Sequence, residues 1–112
     1  MIRVEKAWGW EEIVSNSTQY CGKVLHVLPG KQCSLHYHIL KDETFYLLDG
    51  DCEYQTSLVP LRNKMVMGEP VHIPPGMLHR FASRGGCRLM EVSTEHSDAD
   101  VVRLEPSGDF CS

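Results

Sequence analysis

The chain has 112 residues, 42% hydrophobic and 23% charged, with 11 basic and 15 acidic side chains and a formal net charge of −4. That length fits one domain with a modest core, and the scattered basic residues exclude a nucleic-acid surface. No apolar run approaches the roughly 20 residues that cross a membrane, and Met1–Lys6 has no secretory h-region. The five cysteines, Cys21, Cys33, Cys52, Cys87 and Cys111, are odd in number and form no CxxC pair. A disulfide framework or zinc ribbon is therefore not expected, and a reduced, cytoplasmic protein is.

Along the chain, short β-type runs alternate with turn signals, the pattern of a sandwich or barrel. An N-terminal arm of about 20 residues carries both tryptophans, Trp8 and Trp10. It packs either on a partner subunit or on its own barrel. Lys23 to Leu28 reads as a strand closed by Pro29-Gly30, and Gln32 to His38 as the next. Thr44 to Leu48 runs into Asp49-Gly50, a hairpin signal. Asp51 to Ser57 and Leu58 to Val66 are weaker strands around Pro60. Val71 to Ile73 leads to Pro74-Pro75-Gly76, His79 to Ser83 ends at Gly85-Gly86, and Cys87 to Ser93 is the last long strand. The segment from Glu95 to Ser112 is acidic and expected to be loosely held, except that Val101 to Leu104 suits an edge strand. The barrel itself spans about residues 21–94.

Chemistry concentrates in four residues. His36 and His38 are two apart, so on a strand they share a face, with Tyr37 on the other. Glu43 follows after Lys41-Asp42, and His79 comes from a third strand beyond the Pro-Pro-Gly turn. Three imidazoles and a carboxylate form a mixed nitrogen and oxygen donor set for one divalent transition metal: manganese, zinc, iron or nickel. Four ligands from three strands need a preformed cavity, which a small β-barrel provides. By the same alternation Phe45, Leu47 and Phe81 lie on the ligand face. Tyr46 and Arg80 lie on the other face, and so does Cys33, as a packing residue. His26, His72 and His96 lack the spacing of ligands.

The surrounding glycines and prolines make the pattern specific. Gly30, His36, His38, Glu43 and Gly50 stand at the spacings of the first cupin motif, and Gly68, Pro74, Gly76 and His79 at those of the second. The chain therefore resembles the cupin family from about Gly22 to Val92. It departs at Ser83, where that family usually has an asparagine. The resemblance implies a single-domain, all-β jelly-roll barrel that holds a metal through His36, His38, Glu43 and His79. Two exposed indoles would form an apolar patch that monomers avoid. A homodimer is therefore expected in which the arm bearing Trp8 and Trp10 crosses to the partner or lines the interface, and the resemblance implies such pairing as well.

Glu91 sits in an otherwise apolar strand, Leu89-Met90-Glu91-Val92, where a carboxylate is either exposed at an edge or functional. The stretch Glu91-Val92-Ser93 onward to Arg103, together with Lys41-Asp42-Glu43, is similar to sugar-isomerase cupins, the lyxose isomerases and cupin-type mannose-6-phosphate isomerases. That resemblance implies Glu91 as the acid/base. Lys41 would steady substrate oxygens, and the substrate would be a small sugar or sugar phosphate undergoing aldose–ketose isomerisation. Two other classes fit the same donor set: a cupin-type metal-dependent dioxygenase, and a non-enzymatic sugar- or metal-binding module.

Overall fold

A computed structural model of the chain describes residues 2–110; Cys111 lies outside them. Thirteen strands and one 3-10 turn make up the regular structure among these residues. The larger sheet contains β1 (Ile2–Lys6), β2 (Gly9–Asn16), β3 (Cys21–Val27), β6 (Glu43–Gly50), β9 (Val71–Ile73) and β11 (Cys87–Ser93), in the order β1-β2-β3-β11-β6-β9. The second sheet runs β13-β4-β10-β7-β8, from β4 (Lys31–Gln32), β7 (Glu53–Gln55), β8 (Asn63–Lys64), β10 (Arg80–Ser83) and β13 (Gly108–Asp109). A two-stranded piece pairs β12 (Val101–Glu105) with β5 (Leu35–His38). All these pairings are antiparallel, and an isolated bridge joins His36 to His79. The expected all-β double-sheet barrel is the observed one.

Period-two burial builds the interior. In β3, Cys21, Lys23, Leu25 and Val27 point inward; in β6, Glu43, Phe45 and Leu47 do; in β11, Cys87, Leu89 and Glu91 do. The registers Leu89↔Leu25, Leu89↔Leu47 and Glu91↔Lys23 align these rows. One end of the barrel is therefore apolar, with Val27, Leu47, Cys52, Cys87 and Leu89 in a single core cluster. The other end collects Lys23, Glu43 and Glu91, which are buried and charged. Buried charges persist only when paired or ligated, so the chemistry belongs at this end.

Two glycines close the turns that the sequence marked. Gly50 has φ +83°, and a Cβ there would lie 2.2 Å from the carbonyl oxygen of Gly86, so Asp49-Gly50 makes a turn that no other residue fits. Gly76 has φ +81°, and its N–H donates to the His38 carbonyl at 2.7 Å. That bond ties the Pro-Pro-Gly turn to the strand bearing the first two histidines.

Four expectations need correction. The run Gln32 to His38 is broken at Cys33-Ser34, which resets the alternation. Cys33 thus faces the interior, where its sulfur accepts the Phe81 N–H at 3.2 Å. The run Leu58 to Val66 yields only the two residues of β8, since Pro60 cannot donate to a ladder. The N-terminal arm extends the large sheet of its own barrel, through β1·β2 and β2·β3 pairing. Trp8 is buried edge-on against Phe81 with ring centroids 5.2 Å apart, and Trp10 stacks on His26 beneath Arg3. The exposed-indole argument for a dimer interface therefore fails. The C-terminal segment is also pinned. β12 forms as an edge strand, β13 pairs with β4, and Arg80 donates to the Cys33 carbonyl, the Glu105 carboxylate and the Pro106 carbonyl.

Candidate metal centre

Three strand segments meet at the charged end of the barrel. β5 brings His36 and His38, β6 opens with Glu43, and His79 precedes β10. One ring nitrogen from each histidine falls within a 4.8 Å group, so the trio can hold a metal ion. Glu43 Oε2 lies 3.0 Å from His79 Nε2 and 3.5 Å from His38 Nε2.

The hydrogen bonds around the rings test whether this set fits a cation. His36 Nδ1 lies 2.8 Å from the Ser34 carbonyl and His79 Nδ1 lies 3.0 Å from the Met77 carbonyl. A carbonyl can only accept, so both Nδ1 atoms carry the proton and both Nε2 atoms present lone pairs. His79 Nε2 and Glu43 Oε2 are buried and make no hydrogen bond, although 3.0 Å apart. Two acceptors facing each other in a dry site repel unless a cation lies between them. Burial pushes His36 down to about 3, helped by the neighbouring His79, and pushes His38 down to about 4. For Glu43 burial works upward, but its neighbours outweigh it, the Lys41 ammonium 3.4 Å from Oε1 among them, and the carboxyl is held well below the usual carboxylate range. Neutral imidazoles beside an ionised carboxylate are the protonation states that a metal site needs. The residues fit a divalent cation.

Glu91 is buried and faces the same cavity, with Lys41 Nζ 2.6 Å from its Oε2. Ser93 Oγ donates to that same oxygen at 3.2 Å, so both contacts leave Oε1 available. Lys41 also lies 3.4 Å from Glu43 Oε1, which links the Glu91 carboxylate to the histidine cluster through one ammonium. Burial acts to lower the Lys41 ammonium, but Glu91 and Glu43 overcome it, so its pKa is raised and the charge is held. Lys41 is thus buried between carboxylates on the cavity wall.

Sequence reasoning missed four residues here. Asp100, in the 3-10 turn Asp98–Asp100, accepts the N–H groups of Leu40 and Lys41 at 2.9 and 3.0 Å and so fixes the loop that aims Lys41. His96, expected to be an ordinary histidine, lines the cavity with its Nδ1 3.0 Å from Lys41 Nζ. Lys23 and Glu11 form a second buried pair on the wall, 3.3 Å apart. A lone lysine at an inward position of apolar β3 was the available signal for Lys23, of the same kind that singled out Glu91. By contrast His72 is exposed against Asp42, and His26 packs under Trp10, as ordinary residues do.

With this geometry in view, relatives can be placed. Mannose-1-phosphate guanylyltransferase of Sinorhizobium fredii is 26% identical over 106 residues, covering 88% of this chain but only 20% of that protein. The chain thus spans about a fifth of the curated relative it matches. Among solved structures, a double-stranded β-helix protein from Klebsiella pneumoniae superposes with TM-score 0.73 at 20% identity, covering 85% of this chain and 83% of that one. The capsular polysaccharide assembling protein CapF of Staphylococcus aureus gives TM-score 0.78 at 21% identity, covering 93% of this chain and 34% of that one. These two likenesses establish the fold alone. Residues 2–106 match the family described as mannose-6-phosphate isomerase C-terminal, and the chain belongs to that family of cupin domains.

Proposed function

We propose that the protein is a metal-dependent aldose–ketose isomerase acting on a small sugar or sugar phosphate, with His36, His38, Glu43 and His79 as ligands of one divalent transition metal. The observation that carries this reading is the Lys41–Glu91 contact of 2.6 Å, buried in the same cavity as the histidine cluster. Isomerisation moves a proton between adjacent carbons of one substrate. It requires a carboxylate that is dry and held still, and a cation nearby for the oxygen that gains charge. A divalent metal at this centre supplies Lewis-acid stabilisation of that oxygen. Glu91 Oε1 takes the proton from the carbon next to the carbonyl and returns it to the former carbonyl carbon, while the proton of the adjacent hydroxyl passes to the former carbonyl oxygen, so that substrate and product differ only in where two protons sit. Lys41, held by Asp100 and shared by Glu91 and Glu43, steadies the Glu91 carboxylate and, giving up its contact with His96, donates to a sugar oxygen. Membership in the mannose-6-phosphate isomerase C-terminal family and the likeness to a mannose-1-phosphate guanylyltransferase support the substrate class.

The four described cysteines are free thiols and buried, which supports a reducing, cytoplasmic setting. We also propose a homodimer, now through the outer face of the large sheet. There Val14 (62% exposed) on β2 and Val92 (48%) and Met90 (37%) on β11 flank β3, an apolar patch that a second copy would cover. The chemical reading is tested with a panel of aldoses and their 6-phosphates, run with added metal, with chelator and without oxygen. Metal-dependent isomerisation in deuterated water, with deuterium entering the product carbon, is expected. Turnover that stops when oxygen is removed would replace this reading with the dioxygenase one.

A further inference from the structure

The wall opposite the histidines carries the Lys23–Glu11 pair, which the isomerase reading does not use. Lys23 reaches inward from β3 directly across the ladder from Glu91, and its side chain is 1% exposed. Its ammonium has three donors, and Glu11 Oε1 at 3.3 Å is its hydrogen-bond partner among the described residues. Donor capacity is left over in a place where water is scarce, and an unused buried donor is costly. Glu11 comes from β2 with 12% of its side chain exposed, and only Oε1 is engaged with Lys23. The pair therefore presents spare N–H donors beside a spare carboxylate acceptor, facing the cavity that also holds Glu91 and the histidines.

We propose that Lys23 and Glu11 form a subsite for adjacent hydroxyls of a neutral polyol chain. Lys23 donates to one hydroxyl oxygen, and Glu11 accepts the proton of its neighbour. The charge balance selects this ligand over a phosphate. Lys23 is already neutralised by Glu11 Oε1 at 3.3 Å, so an anion placed at Lys23 would lie against the Glu11 carboxylate. A hydroxyl pair can donate and accept together, and it meets both partners without desolvating a new charge. This inference rests on the sugar reading above and deepens it. The uncharged carbon chain lies inside the barrel, and any phosphate lies away from this wall.

The probes are D-mannitol, which has no carbonyl and cannot be isomerised, and inorganic phosphate. Mannitol binding to the metal-loaded protein is measured by calorimetry or by NMR titration. Glu11→Gln and Lys23→Met should each weaken it about tenfold to a hundredfold, as loss of a charge-assisted hydrogen bond does. Phosphate should not compete with mannitol. If Lys23→Met fails to fold, Glu11→Gln, which keeps the shape and an acceptor for Lys23, carries the test. Unchanged mannitol affinity in Glu11→Gln, with a lowered melting temperature, would make the pair a structural pin and overturn the proposal. Phosphate competition that disappears in Lys23→Met would overturn it in favour of an anion anchor, and absence of saturable mannitol binding to the wild type would also overturn it. Because mannitol does not turn over, a protein that binds it through this pair but isomerises no sugar would refute the isomerase reading and leave the subsite standing.

Discussion

Acid should destabilise the metal-free protein well above the pH at which its carboxylates titrate. Burial holds His36 at about 3 and His38 at about 4 in the folded chain, against an ordinary value of 6.5. The unfolded chain binds more protons throughout the interval from 6.5 down to those values, so stability falls as pH falls and is fully present only above 6.5. At pH 5 the unfolded state gains about 1.5 pH units of protonation free energy per imidazole, or about 2 kcal/mol each at 1.36 kcal/mol per unit. The pair should therefore cost about 4 kcal/mol between pH 7.5 and pH 5, an upper figure because both rings retain some contact with solvent. His96, lowered by burial and then by Lys41, acts in the same direction. Glu43 works the other way in origin but not in this window. Its folded value of about 2 stabilises the protein above 4.5 and is lost only below that pH. The assay is urea denaturation in chelator at the two pH values, for the wild type and for His36→Gln/His38→Gln. The wild type should lose several kcal/mol and the double variant should be much flatter. Equal stability at pH 7.5 and 5, or an unchanged pH slope in the double variant, would refute the burial argument.

Other outcomes follow from the same contacts. His38→Ala should empty the metal site and remove the rise in melting temperature on adding a divalent metal, measured by calorimetry with and without chelator. Glu91→Gln should leave metal content unchanged and lower isomerisation by several orders of magnitude, read from steady-state kinetics beside metal analysis. Trp8→Ala, which opens a void against Phe81, should cost about 3–5 kcal/mol in urea denaturation and leave the subunit mass in light scattering unchanged. Met90→Asp, by contrast, should shift light scattering from dimer to monomer with little effect on the monomer's own stability.

The fold and the histidine cluster were legible because their signals are local. Spacing places His36 and His38 on one face, and Gly50 and Gly76 mark turns that need a left-handed backbone. What was hidden depends on partners far apart in the chain. Cys33 was assigned to the wrong face because the break at Cys33-Ser34 resets the alternation, and a one-residue irregularity inverts every inference downstream of it. The arm could not be placed because strand pairing over a loop leaves no periodic trace. Glu11 reaches the cavity only once β2 has joined β3. The acidic tail looked loose for the same reason. Asp100 becomes a structural residue only when it meets the Leu40 and Lys41 amides, some 60 residues earlier.

That last contact gives the tail a functional meaning and a test of its own. Asp100 accepts two consecutive backbone N–H groups, and its Oδ2 also lies 3.9 Å from His38 Nδ1, a buried ring nitrogen that makes no hydrogen bond. One carboxylate thus fixes the loop that carries Lys41 and sets a negative charge beside His38. Asp100→Asn keeps the shape, turns an amide NH2 that cannot accept toward one of the two backbone N–H groups, and removes the negative charge facing His38. It should lower metal affinity about tenfold to a hundredfold, the range typical for groups that orient a ligand histidine. It should also lower kcat more than KM, because Lys41 loses its aim while the cavity wall stays in place. Competition with a fluorescent chelator reads the first effect and steady-state kinetics under saturating metal the second. Wild-type metal affinity together with wild-type kcat in Asp100→Asn would mean that the tail only covers the barrel and takes no part in organising its site.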